Sequence, residues 1–266
     1  MSDPVASASP SPLSDPAKHR PVALVTGSGA KRVGRAVAEA LARRGYRLVL
    51  HANSSLKEAQ EAAKEFGEQD VEAIALQADL TDERAVKSLV ADAVSHFGRI
   101  DALVHCAAIW SPKPLEDVSA ADVRKNLEAN TVGSFLICQH VGLQMVSQPA
   151  GGAIVALGDW AVVRPYLDYA AYFPSKGAIP TLVRTFAVEL SHRNPRIRVN
   201  GILPGPVMLP PDLPAAEREA AIAGTLVKRE GSPEHVAHAA VFLLENEFVT
   251  GVCLPVDGGR TIASGE

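Results

Sequence analysis

The stretch PVALVTGSGAKRVGRAV, residues 21–37, decides the fold. It opens with a short apolar run, continues through three closely spaced glycines, and then repeats apolar residues at helical spacing as far as Gly45. This pattern predicts a β-strand, a tight turn and an α-helix. Without side chains at Gly27, Gly29 and Gly34, the backbone N–H groups and the helix N-terminus can approach a pyrophosphate. The stretch therefore predicts a dinucleotide-binding unit.

Further apolar runs alternate with amphipathic stretches along the rest of the chain. The predicted strands are residues 21–27, 46–52, 71–80, 100–108, 151–158, 197–205 and 251–259. Strands that alternate with helices form βαβ units and a parallel sheet. We predict an α/β fold: a single doubly wound Rossmann-type domain, a parallel seven-stranded sheet with helices on both faces. Ligands of such sheets lie beyond the carboxyl ends of the strands.

Composition limits the possible functions. The chain has 266 residues and a formal charge of −4, with no run of Lys or Arg, so direct binding to nucleic acid is not expected. Residues 1–20 are rich in Pro, Ser and Ala and lack an apolar run, which predicts a disordered tail before the folded domain, residues 21–266, and no membrane segment. Cys106, Cys138 and Cys253 lack metal-ligand spacing, so we expect buried free thiols, no metal and a cytoplasmic protein.

The second strand indicates which dinucleotide binds. A cofactor with a free ribose 2′-hydroxyl usually meets an acidic residue there, whereas a 2′-phosphate would be repelled by one. HANSS ends this strand without an acid and offers Asn53, Ser54 and Ser55 as donors, and Lys31 and Arg32 add positive charge from the glycine turn. NADPH is therefore favoured over NADH.

Two further patterns carry candidate roles. Asp79 in QADLTD either holds the adenine side of the cofactor or caps the helix that begins near Asp82. Tyr172 and Lys176 are four residues apart in a helical stretch and so share one face. A nearby ammonium is expected to lower the pKa of the phenol, which would make Tyr172 a proton donor and Lys176 its tuner.

Several motifs occur in a family-specific order: VTGSGAKRVG, QADL, LEANTVGSF, Tyr172-x-x-x-Lys176, RVNGILPGPV and VDGG. On these the chain resembles the short-chain dehydrogenase/reductase family over residues 21–260. The resemblance implies that Asn130 completes a proton relay to Lys176, that residues 204–207 lie against the nicotinamide, and that the protein is a homotetramer built on its long apolar helices. The implied cofactor contacts are Gly27, Lys31, Arg32, Val33, Asn53, Ser54, Ser55, Asp79, Leu80, Ala107, Tyr172, Lys176, Pro204, Gly205 and Val207.

Asp159 departs from the common family pattern, which has a serine thirteen residues before the tyrosine. A ketone gains nothing from an anion beside an oxygen that acquires negative charge. Reduction of a C=N bond needs a proton at nitrogen, which a carboxyl group can shuttle with Tyr172. An Asp in place of this serine is typical of the pteridine reductases, which the chain resembles here. That resemblance implies that the substrate is contacted by Arg32, Trp110, Asp159, Tyr169 and Tyr172.

The sequence also departs from that subgroup. The glycine turn from Thr26 to Gly34 is one residue longer than usual, and residues 105–108, HCAA, replace an Asn-rich motif. The chain is predicted to be an NADPH-dependent reductase of a pterin or folate-type heterocycle. Two alternatives stay open: another NADPH-dependent carbonyl or enoyl reductase, and a non-catalytic NADP-binding redox sensor.

Overall fold

The computed structural model describes residues 20–263, so the N-terminal tail predicted for residues 1–20 lies almost wholly outside the described residues. The strands are β1 Val22–Thr26, β2 Arg47–Ala52, β3 Ala73–Gln77, β4 Ala102–His105, β5 Gly152–Leu157, β6 Ile197–Pro204 and β7 Cys253–Val256. The helices are α1 Val33–Arg43, α2 Leu56–Gly67, α3 Glu83–Phe97, α4 Ala120–Asn126, α5 Gly133–Val146, α6 Tyr172–Gly177, α7 Ile179–Arg193, α8 Ala215–Ala223 and α9 Pro233–Glu245. Each strand lies inside its predicted range.

The strands form a parallel sheet in the order β3-β2-β1-β4-β5-β6-β7. Thr26 at the end of β1 is in register with His51 of β2 and His105 of β4, so the carboxyl ends of these strands meet at one edge. The order reverses between β1 and β4, where doubly wound sheets bind their ligands. The predicted fold is confirmed.

Helices cover both faces of this sheet. One apolar cluster packs α1, α2 and α9 on one face, and a second packs α3, α5 and α7 on the other. Because both faces are covered, β1 is fully buried along its length, which explains why the strands read as continuous apolar runs rather than alternating ones.

Local irregularities mark the elements that carry the site. Residues Leu127–Val132 form a π-helical turn between α4 and α5. The helical stretch predicted to carry Tyr172 and Lys176 is divided at Ala178 into α6 and α7. Pro174 lies in the first turn of α6, where the missing N–H costs no helical hydrogen bond.

Across residues 20–263, no helix is both long enough and apolar enough to cross a membrane. The same part of the chain contains no group of three His, Cys, Asp or Glu side chains placed to hold a metal ion. All three cysteines are free, but only Cys138 is fully buried; Cys106 and Cys253 are half-buried, so the prediction of buried thiols is wrong for these two.

Candidate active site

The glycine turn after β1 is closed by backbone contacts that leave no room for side chains. A Cβ on Gly27, where φ is +65°, would lie 3.0 Å from the Ala107 Cα. A Cβ on Gly34 would lie 2.5 Å from the Gly27 carbonyl oxygen. The first turn of α1 therefore sits directly against the end of β1, at the carboxyl edge of the sheet, where the free amides of a helix N-terminus can bind a pyrophosphate.

A polar corner lies beside this turn. A Cβ on Gly29 would lie 2.6 Å from the Ser55 Oγ, so the turn touches the loop after β2. Lys31 and Arg32 are exposed at the start of α1, and Ser54 is exposed on the loop. The glycine turn and the loop after β2 thus carry two cations and two hydroxyl donors beside each other. Neither β2 nor the loop that follows it, residues 47–55, contains a carboxylate. Asn53 is also exposed there, and its carbonyl accepts from Gln77 Nε2 at 2.6 Å.

Arg35 was not identified from the sequence. It is buried and donates through Nη2 to the Gly29 carbonyl at 3.2 Å, and its Nη1 pairs with Glu65 at 3.0 Å. Because Arg35 binds the carbonyl side of the glycine turn, it fixes that turn against α2. The available signal was a cation on the otherwise apolar inner face of α1.

Asp79 does not cap α3, so that alternative is wrong. Its Oδ1 accepts from the Thr81 amide at 2.9 Å, whereas the cap is Asp82, which accepts from the Arg84 amide at 2.8 Å. Leu80 is buried and contacts the start of α5. Asp79 stays at the carboxyl end of β3, as its predicted cofactor role requires.

His105, in the unusual HCAA segment, ties β1 to α5. Ser134 Oγ donates its only hydrogen to the Asn130 carbonyl at 2.5 Å, so it must accept from His105 Nε2 at 2.8 Å. The ring is neutral because burial lowers the pKa of His105 to about 3, which leaves Nδ1 to accept from Thr26 Oγ1 at 2.8 Å. Thr26 Oγ1 in turn accepts from the Cys106 amide at 3.0 Å. One neutral tautomer thus satisfies the whole buried network.

Asn130 is fully buried in the π-helical turn. Its Oδ1 accepts from the Ile109 amide at 2.9 Å, and its Nδ2 donates to the Ile109 carbonyl and to Ser175 Oγ, both at 3.0 Å. The side chain therefore joins the segment after β4 to α6. The predicted relay role of Asn130 stays a prediction.

Asp159 and Tyr172 form a direct pair. The Tyr172 hydroxyl donates to Asp159 Oδ2 at 2.8 Å, and Asp159 Oδ1 accepts from the Ala161 amide at 2.8 Å. Both side chains are buried or nearly so, and Lys176 lies below them with Nζ donating to the Leu157 carbonyl at 2.7 Å. Three of the four residues predicted to be catalytic, Asp159, Tyr172 and Lys176, therefore lie at the end of β5.

The charges in this group reverse one expectation. Burial first, and then the neighbouring Asp159, raise the pKa of Tyr172, so the prediction that Lys176 lowers it is wrong in this structure. Burial also raises the pKa of the Asp159 carboxyl and lowers the pKa of Lys176 to about 8. A carboxylate that accepts the phenol hydrogen holds that hydrogen on the Tyr172 oxygen, so the two side chains share one hydrogen-bonded proton.

Aromatic rings line one side of the pair. Trp110 stacks on Tyr169 with ring centroids 5.0 Å apart and an interplanar angle of 17°. The substrate contacts predicted for both stay a prediction. Tyr166 meets the edge of Tyr169 at 5.0 Å and stacks on Trp160 at 6.2 Å. These four residues are called the aromatic wall. Tyr166 and Trp160 were missed, although both lie within eleven residues of Tyr169.

The last predicted contacts follow β6. Pro204 ends this strand, Gly205 donates its amide to the Val256 carbonyl at 2.9 Å, and Val207 is buried. A Cβ on Gly205 would lie 2.5 Å from the Asp257 Cα, so this turn is pressed against the VDGG segment. Helix α8, called the lid helix, follows in the loop from β6 to α9.

A doubly wound sheet with this glycine turn, and with a tyrosine and a lysine close together at its carboxyl edge, defines a dinucleotide-dependent oxidoreductase. Residues 29–261 match the family described as enoyl-(acyl carrier protein) reductase. The chain belongs to the short-chain dehydrogenase/reductase family, whose Rossmann fold binds a nicotinamide cofactor.

Named relatives cover most of the chain. Human 3-oxoacyl-[acyl-carrier-protein] reductase is 34% identical over 232 residues, which is 87% of this chain and 94% of that protein. Versicolorin reductase 1 of Aspergillus parasiticus is 32% identical over 254 residues, 90% of this chain and 95% of the relative. The crystal structure of NAD+-bound xylitol dehydrogenase superposes with a TM-score of 0.83 at 32% identity and covers 90% of this chain and 98% of the dehydrogenase.

Proposed function

We propose that this oxidoreductase reduces the C=N bond of a pterin or folate-type heterocycle with NADPH. The observation that carries the proposal is the 2.8 Å hydrogen bond from the Tyr172 hydroxyl to Asp159 Oδ2. A carboxyl group in this place suits a substrate nitrogen that must gain a proton, because it can accept that proton from the phenol and present it again. A developing alkoxide would be destabilised by the same carboxylate.

The remaining residues fit that reaction. Bound NADPH supplies the hydride. Trp110 and Tyr169 offer flat faces to a planar ring, and aromatic stacking adds about 0.5–1.5 kcal/mol beyond burial. The buried Lys176 places a cation at the base of the pair and favours the charged form of Asp159 once the proton has left. Arg32 is exposed at the start of α1, where it can reach a cofactor phosphate.

The preference for NADPH over NADH rests on the corner formed by the glycine turn and the loop after β2. Lys31 and Arg32 supply cations and Ser54 and Ser55 supply hydroxyl donors there. A 2′-phosphate is favoured by such a corner, whereas a 2′-hydroxyl would lack its usual acidic partner. Titration with 2′,5′-ADP and with 5′-AMP tests this directly; equal affinity would contradict the assignment.

Carbonyl or enoyl reduction is the second candidate. It is favoured by the names of the relatives, which are 3-oxoacyl and versicolorin reductases, and by the family description, which is an enoyl reductase. Tyr169 also lies seven residues before Lys176, as in enoyl reductases.

We further propose a homotetramer, because α5 and α7 expose Phe135 and Val188.

One assay separates the candidates. The protein is mixed with NADPH, and loss of absorbance is followed with dihydrobiopterin, dihydrofolate, an enoyl thioester and a simple ketone. Turnover of either dihydropterin-type compound supports the proposal. Turnover of the thioester or ketone alone overturns it, and cofactor binding without any turnover favours a redox sensor.

A further inference from the structure

We propose that Arg260 is a positioning residue that couples the lid helix to the aromatic wall and to the turn that carries Asp159. The coupling is argued from three sets of contacts made by Arg260 and its segment. The effect of Arg260 on substrate binding rests on the proposed function of the site. Neither the family motifs nor the predicted site included this residue.

The first contact is with the aromatic wall. The Arg260 Cζ lies 4.7 Å from the centroid of the Trp160 ring, within the range of a cation–π interaction. Trp160 is 9% exposed and directly follows Asp159 in the 3₁₀ turn that Asp159 caps through the Ala161 amide. A shift of the indole ring therefore acts on the backbone next to Asp159.

The second contact is with the lid helix. Arg260 Nη1 donates to the Ala221 carbonyl in the last turn of α8. A Cβ on Gly224, just after this helix, would lie 3.2 Å from the Arg260 Cζ, so the guanidinium fits closely against the helix end. A cation at a helix C-terminus also interacts favourably with the helix dipole.

The third contact holds the segment that carries Arg260. The Arg260 amide donates to the Asp257 carbonyl at 3.2 Å, and the Asp257 carboxylate accepts from the Thr261 amide at 2.7 Å. Arg164, in the loop after Trp160, donates to the Arg260 carbonyl at 3.2 Å. The guanidinium is thus presented from a fixed turn, and its position is set by the backbone rather than by a flexible tail.

These contacts form a continuous path. Arg260 lies on Trp160, Trp160 stacks on Tyr166, Tyr166 meets Tyr169, and Tyr169 stacks on Trp110. The lid helix is at one end of this path and the predicted substrate-stacking tryptophan is at the other. In this arrangement the guanidinium joins the lid helix to the Trp160 ring and, through that ring, to the rest of the aromatic wall.

The chain contains only two tryptophans, which allows each end of the path to be observed separately. In a Trp160→Phe background the fluorescence reports Trp110, and in a Trp110→Phe background it reports Trp160. Arg260→Met and Arg260→Lys are compared in the Trp110→Phe background. There Arg260→Met should shift the emission wavelength of Trp160, and Arg260→Lys should bring it part of the way back. In the full protein, Arg260→Met should lower hydrogen-exchange protection in the lid helix.

The decisive readout is kinetic. Arg260→Met should raise the KM of the substrate about 2- to 30-fold, the range of one cation–π contact, while the Kd for NADPH is unchanged. Arg229→Met is the matched control, because Arg229 is exposed beyond the lid helix and its loss removes the same charge. Arg260→Lys should recover part of the KM.

Three results would overturn the inference. If hydrogen exchange in the lid helix and the emission of Trp160 are both unchanged in Arg260→Met, Arg260 does not couple the two. A lower melting temperature would then show only that Arg260 stabilises the fold. A raised Kd for NADPH would assign Arg260 to the cofactor. An equal change in Arg229→Met would make the effect one of net charge. Emission and exchange need no substrate, so the coupling can hold even if no pterin is turned over.

Discussion

Replacing Asp159 by Asn tests the carboxyl group without changing its shape. The amide oxygen can still accept from the Ala161 amide, which Asp159 binds at 2.8 Å, so the 3₁₀ turn is expected to persist. What is lost is the ability to take up and release the proton of Tyr172, to which Asp159 is bonded at 2.8 Å. Positioned acid–base groups contribute about 10²- to 10⁴-fold to rate, so kcat should fall by that factor.

In free-energy terms this loss is about 3–6 kcal/mol of transition-state stabilisation, since each factor of ten is about 1.4 kcal/mol. The assay is NADPH oxidation with saturating dihydrobiopterin, beside titration of NADPH alone, whose Kd should not change. Asp168→Asn is the control, because Asp168 is exposed in the same loop and its φ of +69° suits Asn. An undiminished kcat, or an equal loss in the control, refutes the proton role.

The same variant carries a pH signature. Burial raises the pKa of Asp159 in the folded protein, so the folded state holds that proton more tightly than the unfolded chain. Asp159 therefore contributes to the free energy of unfolding at pH values below about 4, the ordinary aspartate pKa. This contribution is lost as the pH rises through the raised pKa of the folded state. Denaturant unfolding across this window should show a decline in the parent protein that Asp159→Asn lacks; parallel curves would contradict it.

Three further predictions concern neighbouring residues. Tyr172→Phe should reduce kcat far more than Tyr169→Phe, which should mainly raise the KM through weaker contacts in the aromatic wall; similar kcat losses would remove Tyr172 from the donor role. Ser54→Ala should weaken NADPH binding but not NADH binding, measured by titration, and equal weakening would exclude a 2′-phosphate at that corner. Because burial lowers the pKa of His105 to about 3, stability should be lost as pH falls from about 6.5 towards that value, and His105→Asn should lose less in acid unfolding; an identical acid profile would exclude His105 as the cause.

Much of the fold was predictable because its signal is local. A buried parallel strand is a continuous apolar run, and closely spaced glycines between a strand and a helix indicate a tight turn, so β1, the glycine turn and α1 were correctly placed. The pairing of Asp159 with Tyr172 followed from a family spacing and was found as a direct hydrogen bond.

The remainder depends on contacts between distant residues. Helical spacing predicted that Lys176 lies near the phenol of Tyr172. It could not show that the Lys176 ammonium donates its hydrogen bond to the carbonyl of Leu157, at the end of β5. Nor could it show that Arg260 reaches Trp160, one hundred residues earlier in the chain. Side-chain packing between separate elements leaves no periodic trace in either segment.

The π-helical turn at Leu127–Val132 makes the length of this segment critical. The Gly133 amide bonds to the Glu128 carbonyl, five residues back, so the turn holds one residue more than an α-helix of the same rise. Deleting a single residue here would restore regular α-helical winding and move the residues inside the turn to new positions around the helix axis. Asn130 lies inside the turn and would then leave Ile109. An insertion or deletion of one residue in this turn would therefore break the contacts by which Asn130 joins the segment after β4 to α6.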